Sequence, residues 1–220
     1  MSTITSIVPT ARSGSMEKIV TAREAVRLIR TGNTVAIGGF GGIGLPEELT
    51  NELAALYRSN DQEAAAFGKP RDLTLVFGGS PGDAQQRGAQ QFAQPGFIKR
   101  IIGGHWAYVP ALYQLVLAGQ AEGYNLPLGV ITHLYRDIAG GKPGHVSRVG
   151  LGTFVDPRFG GGKLNAKTTE DLVELITIGG KEYLFYKTFP IDVALIRATT
   201  ADPSGNLTME REALTSDTLS

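Results

Sequence analysis

The strongest constraint on the fold is a run of glycines set between a strand and a helix. Thr34-Val35-Ala36-Ile37 is short, apolar and β-branched, the pattern of a buried strand. It runs directly into Gly38-Gly39-Phe40-Gly41-Gly42-Ile43-Gly44-Leu45-Pro46. Pro46 then opens a helix through about Tyr57, with Glu47 and Glu48 in its first turn. A chain that turns this way brings bare main chain to the end of a strand, where a ligand can approach it closely.

The rest of the sequence repeats that alternation. Thr21 and Glu24 have the spacing of a capping box, and Ala25, Val26, Leu28 and Ile29 continue a helical stripe to Gly32. Strands are predicted at Leu73–Phe77, Ile98–Ile102 and Asp192–Ala198, and helices at Val109–Ala118 and Val130–Ala139. Val146–Phe154 and Leu175–Tyr186 are β-rich, the latter as a hairpin turning at Gly179-Gly180. Asp202-Pro203-Ser204-Gly205-Asn206 is a turn, and residues 59–71 are a polar linker. The spacing predicts an α/β domain with a largely parallel sheet flanked by helices. Residues 1–15 are polar, contain no acid and lack an apolar stretch; they read as a disordered lead before a domain over 16–220.

Composition removes several function classes. With no Cys there is no thiolate nucleophile, disulfide or thiolate metal site. Lys plus Arg equals Asp plus Glu at 21 each, which gives no basic footprint for nucleic acid. No apolar run approaches the roughly 18 residues of a membrane span, so neither a nucleic-acid nor a membrane partner is expected, and the location expected is cytoplasmic. Gly is the outlier, at 29 of 220 residues, nearly twice the usual ~7%.

Three patterns invite chemistry. Gly39-x-Gly41-x-x-Gly44 matches a dinucleotide fingerprint, but Glu47 and Glu48 stand where a pyrophosphate would sit. The second strand also ends in Gly78-Gly79 rather than in an acid for a ribose hydroxyl. Gly78-Gly79-Ser80-Pro81-Gly82 matches a nucleophile elbow, yet Pro81 has no N–H for an oxyanion hole, which favours a turn. His105, His133 and His145 lack metal-ligand spacing and are expected to be satisfied structural histidines. Arg136 and Asp137 are expected on a solvated or locally paired face. Bare amides of the glycine loop facing a polar or carbonyl-bearing ligand remain the best reading of the residues alone.

Longer stretches carry a resemblance. Asn33 through Pro46 is similar to the first signature of the family I coenzyme A transferases. Gly103-Gly104-His105-Trp106, Tyr124-Asn125-Leu126-Pro127, His133 through Ala139, Gly150 through Arg158, Gly160-Gly161-Gly162-Lys163 and Phe189 through Arg197 resemble the acetate and propionate branch. The resemblance covers residues 17–212 and implies the domain fold shared with sugar-isomerase-like proteins. It implies ping-pong exchange between an acyl-CoA and a short-chain carboxylate, with a glutamate forming an anhydride and then a glutamyl-CoA thioester. No separate cofactor is implied; the coenzyme A thioester is the substrate.

The family's glutamate lies in a Glu-x-Gly context of the second half, and Glu122-Gly123 does not match it. The chain is therefore expected to be an amino-terminal part without the nucleophile, partnered by a carboxy-terminal catalytic half and forming a homo-oligomer. It is also expected to be incomplete at its carboxyl end, with an open sheet edge there. The substrate pocket implied comprises Gly38, Gly39, Phe40, Gly41, Gly42, Gly44 and Leu128, with Gly39 and Phe40 closest. Thr31 departs from the acid or amide of the signature. Leu128 stands where many relatives carry Gln, which removes a hydrogen-bond donor. The rival functions are an acyl-CoA hydrolase on the same fold and a non-catalytic ligand-binding domain.

Overall fold

The structure, a computed structural model, describes residues 18–59 and 68–215. The predicted lead over 1–15 and most of the 59–71 linker lie outside the described residues. Five parallel strands form the main sheet: β1 (Thr34–Ile37), β2 (Leu73–Phe77), β3 (Ile98–Gly103), β4 (Glu122–Asn125) and β8 (Val193–Leu195), in the order β4-β3-β2-β1-β8. The helices are α1 (Ala22–Val26), α2 (Glu47–Arg58), α3 (Pro110–Leu117) and α4 (Leu128–Ala139). A second, antiparallel sheet has the order β5-β7-β6, from β5 (Gly144–Ser147), β6 (Val173–Ile178) and β7 (Lys181–Lys187). A small hairpin pairs β9 (Thr200–Ala201) with β10 (Leu207–Thr208) across the Asp202–Asn206 turn.

Successive residues of a strand point to opposite faces, and here both faces of the parallel sheet are buried. Val35, Ile37, Leu73, Leu75, Phe77 and Ile101 enter one core, with Val26 of α1, Leu53 of α2 and Leu112 of α3. Ala36, Val76 and Ile102, the alternate residues, enter a second core with Val130, Ile131 and Leu134 of α4. Val173, Leu184 and Tyr186 of the antiparallel sheet complete it. The second sheet thus covers the parallel one through α4 and shared apolar side chains. β8 is one edge of the main sheet. Asp192 fixes it to β1: its carboxylate accepts from the Thr34 N–H at 2.7 Å, and its own N–H donates to the Thr34 carbonyl at 3.0 Å. No helix among the described residues is long and apolar enough to cross a membrane.

Three expectations need correction, and one strand had no counterpart in the sequence reading. The Thr21–Glu24 capping box forms, but α1 ends at Val26; Leu28 and Ile29 follow in tight turns, their N–H groups donating three residues back. Ile29 is buried all the same. The β-rich run from Val146 supplies only the end of β5, because Gly150 and Gly152 adopt left-handed φ of +96° and +71° and turn the chain away. β4 was not anticipated, since Glu122-Gly123-Tyr124-Asn125 holds no β-branched residue. The Asp192–Ala198 strand is shorter, at Val193–Leu195.

Candidate functional site

Parallel strands end on the same side, so the loops after β1, β2, β3 and β4 meet along the carboxyl edge of the sheet. The glycine loop leaves β1 with Gly38, whose N–H donates to the Leu195 carbonyl of β8 at 2.9 Å. Gly39 turns it at φ +109°, a conformation that side chains rarely adopt. Phe40 and Ile43 then exchange hydrogen bonds, at 3.0 and 3.1 Å, and close a small turn over Gly41 and Gly42.

This loop lies main chain on main chain against the loop after β2. The Gly41 N–H donates to the Gly79 carbonyl at 3.1 Å, and the Gly82 N–H donates to the Gly41 carbonyl at 3.2 Å. A Cβ at Gly79 would stand 2.7 Å from the Gly39 carbonyl oxygen and 2.8 Å from the Phe40 ring. The contact continues sideways: a Cβ at Gly104 would stand 2.7 Å from the Gly78 carbonyl oxygen and 2.9 Å from the Leu128 Cα. The outcome is a shelf of interlocked backbone across four strand ends.

All seven residues proposed from sequence therefore sit at one edge, with unequal parts. Gly38, Gly39 and Gly41 are buried, Phe40, Gly44 and Leu128 are partly exposed, and Gly42 is exposed. The Phe40 N–H is used inside the loop, whereas the Gly39 N–H has no acceptor among the described residues. Leu128 is the first residue of α4 and backs Gly104 with an apolar side chain. At the start of α2, Glu47 is paired with Arg87, whose guanidinium holds its carboxyl below the usual range. Glu47 and Glu48 both lie in the first turn of α2, whose amino end carries no side-chain cap.

Ser80 has the left-handed φ of +58° that an elbow nucleophile would need, but its hydroxyl is fully buried and accepts from the Tyr108 N–H at 3.0 Å. It ties the β2 loop to the β3 loop, in line with the turn expected from Pro81. His145 is satisfied: its Nδ1 is 3.0 Å from the Asp137 carboxylate, and its ring stacks on His133 with centroids 4.8 Å apart. Arg136 is exposed, while Asp137 is only 6% exposed and also takes a 2.6 Å bond from Lys142. Burial pushes the Asp137 carboxyl up, but its bonds from Lys142 and His145 outweigh that and leave it below the ordinary value.

His105 breaks the expectation of a satisfied structural histidine. Its ring stacks on Phe40, with centroids 5.7 Å apart and planes 10° apart, yet its Nδ1 is buried without a hydrogen-bond partner. Sequence reasoning also missed Tyr108, whose ring lies 6.4 Å from that of Phe40 and 5.6 Å from that of His105, and which is 40% exposed. Spacing carries no signal for it, since residues 40 and 108 meet only through the parallel order of β1, β2 and β3. No group of three or more His, Cys, Asp or Glu among the described residues is placed to hold a metal ion.

A parallel α/β domain with a main-chain shelf at its carboxyl edge belongs to the class that binds ligands at strand ends. The chain belongs to the coenzyme A transferase family, whose model matches residues 19–218. It is 44% identical to a caffeate CoA-transferase of Acetobacterium woodii, over 90% of this chain and 36% of that protein. The acyl-CoA transferase YdiF of Escherichia coli O157:H7, solved as a thioester complex with CoA, superposes with a TM-score of 0.83 at 39% identity, over 89% of this chain and 37% of that one. The acetate CoA-transferase subunit alpha of Escherichia coli K12 is 28% identical, over 89% of this chain and 76% of the subunit. The chain spans little more than a third of the length of the first two relatives.

Proposed function

We propose that this chain is the amino-terminal part of a short-chain acyl-CoA:carboxylate CoA-transferase of the acetate and propionate type. The observation that carries this reading is the interlocked glycine shelf, with the Gly39 N–H facing no acceptor among the described residues. Such a donor, fixed before substrate arrives, suits the oxyanion that forms when a carboxylate attacks a thioester.

In this reading the nucleophile is a glutamate outside the chain. Its carboxylate attacks the acyl-CoA carbonyl and releases CoA thiolate, leaving an acyl-glutamyl anhydride. The thiolate attacks the glutamyl carbonyl, giving glutamyl-CoA and the free acid. An acceptor carboxylate attacks that thioester and displaces CoA thiolate, forming a second anhydride. Attack of the thiolate on the new acyl carbonyl returns acyl-CoA and the free glutamate. Covalent catalysis of this kind divides one hard exchange into easier steps. Gly38, Gly39, Gly41, Gly42 and Gly44 line the pocket with Phe40. Leu128 adds contact area and no donor. No separate cofactor takes part, and the reading places the protein in the cytoplasm, as an oligomer completed by a carboxy-terminal half.

The test is acetyl-CoA:propionate exchange, with the purified chain alone and with its protein's carboxy-terminal half supplied. Turnover is expected only in the second case. Turnover by the chain alone would refute an outside nucleophile. No turnover in either case, with no binding of acetyl-CoA, would refute the transferase reading.

A further inference from the structure

The fold holds the His105 ring firmly and gives it no hydrogen bond among the described residues. His105 follows Gly103 and Gly104 at the carboxyl end of β3, beside the glycine shelf. One face lies nearly parallel to Phe40 of the glycine loop, and Tyr108 is tilted against it by 54°. Nδ1 is buried with no partner, and Nε2 has none among the described residues, although the ring as a whole is partly exposed. A purely structural stack does not need an imidazole. A phenyl ring would make the same contacts without an unpaired buried nitrogen.

Those constraints also favour one tautomer of the neutral ring. An N–H at the buried Nδ1 would have no acceptor, so the proton belongs on Nε2, at the more exposed edge. We infer that His105 is a substrate-contacting residue whose Nε2–H donates to an oxygen of the ligand on the glycine shelf, either the carbonyl of an acyl thioester or a free carboxylate. This rests on the transferase reading and adds to it a side-chain donor, contributed by β3, beside the main-chain donor from β1. It also assigns Phe40 a positioning part: the phenyl ring sets the plane of the imidazole.

The chain has three histidines, which makes a direct test practical. The purified protein, labelled with nitrogen-15, is titrated with acetyl-CoA and with sodium acetate while ring nitrogens and backbone amides are followed by NMR. Expected are shifts of the His105 Nε2 signal with both ligands and none at His133 or His145. If amides of Gly38–Gly44 move while His105 does not, the inference fails and the transferase reading stands. If neither moves, the transferase reading fails and takes the inference with it. In the complete active enzyme, His105→Phe keeps the stack and should lower kcat/KM about tenfold or more. His105→Gln, whose amide reaches the Nε2 position, should recover most of that. Equal activity of His105→Phe and the native protein would overturn the inference, and melting temperatures check that both variants fold.

Discussion

At the scale of single residues, the site is made by atoms that are missing. Gly79 has room for a hydrogen and nothing more, because the Gly39 carbonyl and the Phe40 ring occupy the space of a side chain. Gly79→Ala should therefore displace the glycine loop and cost about 1–3 kcal/mol, as overpacking does in a close-packed interior. Urea denaturation measures this; an unchanged midpoint would show that the two loops are not held in contact. The glycines themselves are legible in the sequence, and so is their place after a strand. The surroundings of His105 are not. Tyr108 shares its loop, but Phe40 lies on the loop after β1, and only the strand order brings that ring to the other two.

At the scale of elements, Asp137 is a joint. It lies near the end of α4, is buried, and is bonded to Lys142 of the following turn and to His145 of β5. Asp137→Asn should cost about 1–3 kcal/mol, because it leaves donors facing a weaker partner. The same variant should flatten the acid limb of stability. The folded carboxyl sits below its ordinary value, so the unfolded chain binds more protons as pH falls. The Asp137 contribution is thus whole above the ordinary carboxyl range near pH 4 and is lost below it. Denaturant midpoints taken from neutral to acid pH, for both proteins, test the claim.

Elements with apolar periodicity were readable: β1, β2, β3, α2, α3, α4 and the hairpin of β6 and β7 all lie within a few residues of their predicted limits. β4 was not, because its pairing with β3 makes it a strand and its composition does not. α1 was overextended because the stripe at Leu28 and Ile29 fits a tight turn as well as a helix.

At the scale of the whole molecule, two tyrosines pin the second core. Tyr124 of β4 donates to the Glu170 carbonyl at 2.9 Å, and Tyr186 of β7 donates to the Val149 carbonyl at 2.6 Å. Burial pushes each phenol up to about 12, in Tyr124 against the opposing pull of Arg100. The folded state keeps these protons while the unfolded chain releases them near pH 10. The contribution of these two phenols should hold up to that pH and fall between about 10 and 12. Tyr124→Phe and Tyr186→Phe should each start less stable, by roughly 1 kcal/mol for the lost hydrogen bond, and show a shallower alkaline decline. Unfolding followed by circular dichroism across that range decides it; a decline as steep as that of the native protein would remove the phenols from the account. The two-sheet arrangement behind this was half visible. Alternation within each strand announces two buried faces, but which helix or sheet covers which face is settled only by packing.

The pairing of β1 with β8 also has a consequence in time. The strand that carries the glycine loop finds its second neighbour 158 residues later in the chain. At roughly 5–20 residues per second, a ribosome needs on the order of 8–30 s to make that stretch. Throughout that interval the nascent chain has its ligand loop on a strand with one side bare, and the Gly38 N–H has not yet met the Leu195 carbonyl. Within this domain, the shelf is among the first features to be synthesised and among the last to be locked. A pause in translation before Val193 would therefore prolong the life of an apolar, unpaired edge.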